Sequence, residues 1–427
     1  MKLAMPSSSA RAAGSCAGIA ASVASAGTSA PGDVGATTDA GCGVVAADSV
    51  PAATQTPGKP MSTYGVPSPH EANVQRIVGA AYPVASPGTG SSRTPLHLLD
   101  GTITPAGLHF ERHHNGVPDI DASTHRLLIH GLVTRALEFT VDDLLRYPRT
   151  SRIAFIECAG NSGVNGAPQP PQTTAGAIHG LLSCSEWTGV KLGLLLDEAG
   201  IDSRAAWMIA EGSDAASLSR SIPLAQAREV GILALFQNGE RLRPEQGYPL
   251  RLLMPGWEGN LNIKWLHRIK LTDGPVHARD ETSKYSQLQP NGIARQFDLI
   301  MGAKSVIIRP SVGMTVPAAG FYEISGLAWS GHGRIAKVEV TMNGGQTWKE
   351  AELTGPVLPQ ATCRFRLPWE WDGKAALLQS RATDEKGNTQ PTRAALMAQR
   401  APGQIYHYNA IQSWQVMSDG AVRNVHV

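Results

Sequence analysis

The stretch "FIECAGNSGVNG", residues 155–166, decides how this chain is read. Strand-favouring residues run into Cys158. Small and turn-forming residues follow: Ala159, Gly160, Asn161, Ser162 and Gly163. A cysteine where a strand gives way to such a loop has three readings. It can be a buried structural thiol, the ordinary fate of a free cysteine. It can be a nucleophile, which needs a positioned base that spacing does not locate. It can be a thiolate ligand to a soft metal, with the backbone N–H groups of Gly160, Asn161 and Gly163 free to point at an anion. The residues alone leave all three open.

Around this loop, from about 90 to 298, strand and helix patterns alternate. "HRLLIHGLV" (125–133) reads as a strand. "TVDDLLRYP" (140–148) reads as a short helix capped by Thr140, boxed by Asp143 and stopped by Pro148. "KLGLLLDEAG" reads as a helix with Gly200 past its end. "ILALFQNGERL" reads as a hairpin, Asn238-Gly239 supplying the positive φ angles of its turn. "YPLRLLMPG" and "IKWLHRIKL" read as further strands, the first carrying Arg251 and the second Lys264. This is a mixed α+β domain.

From 299 to 398 the pattern becomes strict alternation broken by Gly, Asn and Asp turns, as in "FYEISGLAWSG", "RIAKVEVTMNGG" and "CRFRLPWEW". That is the signature of a β-sandwich, with no helix signal. Residues 399–427 carry Tyr406, Tyr408 and Trp414 and read as an extended arm that packs back. Residues 1–60 are dominated by Ala, Ser, Gly, Thr and Pro, a composition that buries too little to offset ordering entropy. There Lys2 and Arg11 precede "AGIAASVASAG", with an A-x-A at positions 24–26. This fits an export signal and a periplasmic protein, although no twin-arginine pair is present.

Composition removes several classes. Formal net charge is +2 and no basic run alternates with aromatics, so nothing points to nucleic acid. No 18-residue apolar run spans a membrane. The five cysteines (16, 42, 158, 184 and 363) form neither a CxxC nor a CxxCH, so the chain holds no zinc ribbon and attaches no c-type haem of its own.

"ECAGNSG" resembles the Cys-Ala-Gly-Asn motif of the sulfite oxidase family of molybdopterin enzymes. "HFERHHNGVPDID" (109–121) is similar to that family's Arg-Asn-His…Pro stretch, and "EWTGVKLGLLLDEAG", "GYPLRLLMPG" and "IKWLHRIKL" follow in the family's order. "GLAWSG…IAKVEVTMNGGQTWKEAEL" resembles its second, immunoglobulin-like domain, which in the family serves dimerisation. Within the family, "STYGVPSP" and "RTPLHLLDGTITPAGLHFERHHNGVPDID" most resemble the molybdenum subunits of sulfane dehydrogenases, which serve bacterial thiosulfate oxidation. The resemblance implies a molybdopterin-binding domain of the sulfite oxidase fold at 90–298, an immunoglobulin-like dimerisation domain at 299–398, and molybdenum-molybdopterin as cofactor.

Carried over residue by residue, the resemblance puts molybdenum on the thiolate of Cys158. It makes Arg112 the substrate-facing arginine, whose guanidinium offers several donors to sulfur-oxyanion oxygens. The bland alternative is a surface arginine paired with Glu111. It puts His114 near the pterin, leaves His113 in place of an asparagine without a role, and counts Ser183 among the cofactor-binding positions. Arg251 and Lys264 match positions that hold the pterin and its phosphate; otherwise each faces water on an alternating strand. Tyr285 matches the active-site tyrosine, a hydrogen-bond partner and proton guide. Trp187 reads as packing.

In sulfite-oxidising relatives an arginine follows the Cys-Ala-Gly-Asn run. Here Ser162 and Gly163 follow it, and two compact neutral residues suggest a wider, less charged mouth. That favours a sulfane sulfur presented as a cysteine persulfide on a carrier protein. The resemblance then implies oxidation of the outer sulfur to the sulfonate level in two-electron turns. Water is the oxygen source and a c-type cytochrome subunit takes the electrons; the aromatics of residues 399–427 are one candidate contact for it. Homodimerisation through the sandwich is also implied. The alternatives are a free sulfite dehydrogenase and a cofactor-less binding or scaffold protein built on the sandwich.

Overall fold

The computed structural model describes residues 51–79 and 87–427. The expectations for residues 1–50 lie outside the described residues. The chain divides into two units, Met1–Val66 and Pro67–Val427. In the first, residues 51–66 carry a single 3-10 turn, Ala52–Thr54, in otherwise irregular backbone.

The second unit holds all the remaining architecture. Its α+β part is built on three sheets. A small antiparallel sheet of Ile77–Val78, Gly90–Arg93 and Glu111–His113 carries Arg112. In the second sheet Arg149–Glu157, Leu182–Lys191, Ile232–Gln237 and Glu240–Arg241 lie side by side, with Arg251–Leu253 also pairing the Ile232 strand. The third runs Leu137–Thr140, Arg126–Gly131, Leu266–Thr272, Trp207–Gly212, Ser219–Pro223; its Arg126 and Leu266 strands are parallel.

The local signals act as the chemistry requires. Thr140 Oγ1 accepts from the Asp143 N–H at 3.0 Å, while Asp143 Oδ2 accepts from the Thr140 N–H at 3.0 Å, and the helix Val141–Arg146 starts there. Gly200, at φ 73°, follows the helix Leu192–Ala199. Asn238 and Gly239, at φ 51° and 84°, turn the expected hairpin. Buried Leu127, Ile129, Leu144, Leu195, Leu196, Met208, Leu235, Leu252 and Ile269 join these helices and two of the sheets in one core.

From Lys304 onward two sheets face each other as a sandwich. One orders Lys304–Arg309, Gly320–Trp329, Cys363–Trp371 and Glu352–Thr354; the other orders Lys349–Glu350, Ile335–Thr341, Ala376–Asp384, Ser413–Val416 and Val422–Val425. Two expectations need correction here. A helix, Arg393–Ala398, follows the Thr392 side chain, which caps it, where none was expected. The last residues do pack back, but as strands that complete a sheet, Ser413–Val416 and Val422–Val425, and not as an extended arm with exposed aromatics. Trp414 is fully buried, its indole donating to the Ile307 carbonyl at 2.9 Å; Tyr408 is buried and Tyr406 half-buried. Their candidacy as a cytochrome contact falls with their exposure. The sandwich core also takes in Phe155, Ile178, Leu182 and Cys184 of the α+β part, so one apolar core runs through both.

Candidate active site

The strand Arg149–Glu157 ends one residue before Cys158, and the chain then turns sharply. The Cys158 N–H donates to the Leu181 carbonyl at 2.9 Å, and its carbonyl accepts from the Asn161 N–H at 2.9 Å. The Gly163 N–H is likewise taken, by the Gly160 carbonyl at 3.3 Å. Of the three N–H groups expected to face an anion, only that of Gly160 is directed at a candidate ligand, the Cys158 sulfur. Burial pushes the Cys158 thiol up from its ordinary range. A bound cation would reverse that by keeping the sulfur deprotonated.

Cys158 lines a cleft of about 670 Å³, counting its open mouth, together with Arg112, His114, Arg251, Lys264 and Tyr285. Residues from five separate stretches of the sequence thus converge. Ser183 is not among them: it is buried behind the wall, accepting from the Phe110 N–H at 3.0 Å and lying 2.7 Å from Thr94 Oγ1. Its place is to hold Phe110, which does line the cleft.

Glu111 spends its two carboxylate oxygens on Arg76 and His113. Arg112 Nη1 donates to the His113 carbonyl, which holds the guanidinium stem at the cleft wall. Tyr285 sits at φ 52°, a conformation rare for a bulky residue and one that clusters at functional sites. Its phenol oxygen is 3.2 Å from His114 Nε2, and its ring faces the buried Arg220 guanidinium at 5.0 Å. Burial and the nearby Arg112 charge depress His114 to about 4, so its ring is neutral at ordinary pH. Burial raises the Tyr285 phenol well above its usual range, so the hydroxyl keeps its proton.

At the other side lie two basic groups, Arg251 and Lys264, with Glu111 and Asp214 acting on the second only from beyond contact distance. Arg251 opens its strand, is 4% exposed, and stacks 5.1 Å from the Trp187 ring. It donates to the carbonyl of Gln246 at 3.1 Å, its Nε has no partner, and burial lowers it to about 9. Lys264 lies not in a strand but in the turn before Leu266–Thr272, beside Trp265 at φ 53°. Its Nζ donates to the carbonyls of Arg112 and Glu245, each at 3.2 Å, and to His113 Nδ1 at 2.8 Å. Burial, followed by the Arg251 charge, holds it well below its ordinary range. Buried His109, with Nε2 unpartnered, is depressed to about 3 by the same two causes. Among the described residues no carboxylate lies within 4 Å of Arg251 or Lys264. Buried charge of this kind is costly until an anion arrives. A pterin carrying a phosphate fits that demand, and neither side chain faces water as a strand alternation would allow.

Among the described residues no group of three His, Cys, Asp or Glu side chains could hold a metal alone. A metal on Cys158 therefore needs ligands brought by an organic cofactor. The residues that sequence reasoning missed are His109, Gln246, Asn260 and Asn262 in the cleft wall, and Arg220 with Glu258 behind it. Only His109 stood in a quoted motif; Arg220 lies in the short strand Ser219–Pro223, and the others come from turns and single 3-10 turns that carry no periodic signal.

Ser162 and Gly163 do not widen the mouth, since neither lines the cleft. Ser162 is buried, its hydroxyl 2.6 Å from His179 Nδ1 and accepting from Lys304 Nζ at 2.7 Å. A Cβ on Gly163 would meet the Ile405 carbonyl at 2.6 Å. The small pair makes room for the second domain and the C-terminal segment, not for substrate.

Residues 114–279 match the model of the oxidoreductase molybdopterin binding domain, and residues 295–413 match the Mo-co oxidoreductase dimerisation domain. The mitochondrial sulfite oxidase of Mus musculus is 31% identical over 327 residues, covering 70% of this chain and 59% of that protein. The NAD(P)H nitrate reductase of Hordeum vulgare is 30% identical over 359 residues, covering 71% and 38%. The chain thus spans between 38% and 59% of the length of these curated relatives. Among solved structures, the crystal structure of the sulfane dehydrogenase SoxCD from Paracoccus pantotrophus matches with a TM-score of 0.84 and 45% identity, covering 87% of this chain and 96% of that one. The chain belongs to the sulfite oxidase family of molybdopterin enzymes, and its cofactor is molybdopterin. Within that family it stands close to the matched chain of that sulfane dehydrogenase. A cofactor-less scaffold has no remaining support. No helix of the described residues is long and apolar enough to cross a membrane.

Proposed function

We propose that this chain is the catalytic subunit of a periplasmic sulfane dehydrogenase. It oxidises the outer sulfur of a cysteine persulfide on a carrier protein to the sulfonate level, with oxygen from water and electrons passed to a c-type cytochrome. The observation that carries the chemistry is the convergence of Arg112, His114, Cys158 and Tyr285 on one cleft whose far wall bears Arg251 and Lys264. The choice of substrate is supported by the 45% identity to a sulfane dehydrogenase over nearly its whole chain.

When bound, molybdopterin supplies a two-electron redox couple and oxygen-transfer chemistry. Cys158 would hold the metal; Arg251, Lys264 and His114 would hold the organic part. The chain's own residues do the rest. Arg112 presents a fixed fork of donors to the oxygens that accumulate on the substrate sulfur. Tyr285 keeps its proton and donates it as a hydrogen bond, while the neutral His114 ring 3.2 Å away steadies the phenol. Burial of the wall limits water and strengthens each of these contacts. The sandwich would serve homodimerisation, as the matched domain's description suggests.

Free sulfite dehydrogenation is the second reading, favoured by the 31% identity to sulfite oxidase. Reduction of a c-type cytochrome by the molybdenum-loaded protein separates the two. Turnover with a persulfide-loaded carrier and little with sulfite supports the proposal. A higher kcat/KM for sulfite than for the carrier would overturn it.

A further inference from the structure

Cys158 is bracketed by two residues held from outside their own domain. Lys304 opens the sandwich strand Lys304–Arg309 and is 1% exposed. Its Nζ donates to Glu157 Oε1 at 2.9 Å and to Ser162 Oγ at 2.7 Å, 5.4 Å from the Trp329 ring centroid. The Trp329 indole, also from the sandwich, donates to Glu157 Oε2 at 2.6 Å. Asn161 Nδ2 donates to Glu157 Oε1 at 2.9 Å. Both carboxylate oxygens are therefore engaged, each by a side chain of the second domain.

Geometry and charge act together here. Glu157 is the residue before Cys158 and Ser162 closes the turn after it, so one ammonium group ties down both ends of the loop. The same ammonium is the counter-charge of a buried carboxylate one residue from the sulfur. Groups behind a metal ligand fix its direction and tune the metal. Removing one partner of a buried ion pair leaves the other charge uncompensated, whereas removing both does not.

We propose that Lys304 is a positioning residue for the Cys158 loop, through which the sandwich domain sets both the aim of the sulfur and the charge behind it. This rests on the reading of Cys158 as the metal ligand. It gives the second domain a part in the redox site beyond dimerisation.

The test is a redox titration of the metal in the loaded enzyme, with molybdenum content and unfolding midpoint measured alongside. Lys304→Met leaves the carboxylate alone behind the sulfur, favours the oxidised metal and lowers the midpoint potential. Glu157→Gln leaves the ammonium alone and raises it. The double variant removes both charges and returns the potential toward wild type. Lys304→Arg keeps the charge and the wild-type potential. In Lys304→Met, kcat falls about 10–100-fold, the usual scale for such partners, with KM unchanged because Lys304 does not line the cleft. Equal potentials in all variants, or single variants shifting in the same direction, would overturn the proposal. Should Lys304→Met not fold, the double variant and Lys304→Arg still decide it: a double variant displaced far from wild type, or a displaced Lys304→Arg, sinks the idea. Failure of the ligand reading is seen separately, as a Cys158→Ser protein that keeps its metal.

Discussion

At the residue scale, the chemistry depends on charges that the folded chain leaves unneutralised. Cys158→Ser should abolish turnover and cut molybdenum content, while the unfolding midpoint stays within about 3 °C of the cofactor-free wild type. Metal analysis and calorimetry check both halves. Arg251→Met should weaken cofactor retention about 10–100-fold, the value of a lost charge-assisted hydrogen bond or two. Because Arg251 has no carboxylate partner, the cofactor-free variant should be no less stable than cofactor-free wild type in urea. The cavity histidines set a pH dependence. Unfolded, His109 and His114 take up protons near their ordinary pKa of about 6.5; folded, they wait until about 3 and about 4. The unfolded state then binds more protons, so cofactor-free protein loses stability as pH falls from about 6.5 toward 4. The slope should shrink in His114→Gln, and an unchanged slope would contradict the assignment. Cys158 and Arg112 were legible because their motif is compact. Ser183, on the strand paired directly with the one that leads into the loop, supports the cleft wall without lining it, a distinction that a motif match does not carry. The Ser162 argument failed for a similar reason: a residue's neighbour in sequence does not reveal which way its side chain turns.

At the scale of elements, strands supply Arg112 and Arg251 to the cleft, while turns supply Cys158, Lys264 and Tyr285. Ser162, Trp265, Tyr285 and His407 all have φ between 52° and 65°, and all lie in or beside the cleft and the Cys158 loop. Such backbone costs about 1 kcal/mol or more at each residue and persists only where packing over-determines it. The Cys158 loop is pinned on its outer side by the segment 405–407: the His407 N–H donates to the Ala159 carbonyl at 2.7 Å, and Gly163 packs against Ile405. Gly163→Ala should therefore cost about 1–3 kcal/mol by overpacking and weaken metal retention with it. A variant as stable as wild type would show that the contact gives way. Capping boxes, the Asn-Gly turn and the alternating strands were readable because each is a local code. Lys264 was misplaced because its strand pattern continues past the true strand start into a turn. The short helix Arg393–Ala398 escaped because six residues give too little periodicity.

At the scale of the whole molecule, one apolar core crosses from the α+β part into the sandwich, and a buried ion pair, Lys304 with Glu157, crosses with it. The cofactor-free protein should unfold by heat in a single transition, with residues 304–425 melting together with the rest. Two resolved calorimetric peaks would contradict that coupling. The fold class was readable from blocks in order along the chain. The interdomain charge network was not, because Glu157 and Lys304 are far apart in sequence and neither stands out from an ordinary strand end. The account as a whole requires molybdenum to be bonded to the sulfur at position 158, and X-ray absorption at the molybdenum edge measures that bond directly. The wild-type protein should show one more sulfur neighbour at the metal than whatever metal-loaded Cys158→Ser protein can be recovered; identical sulfur shells in the two would contradict the assignment.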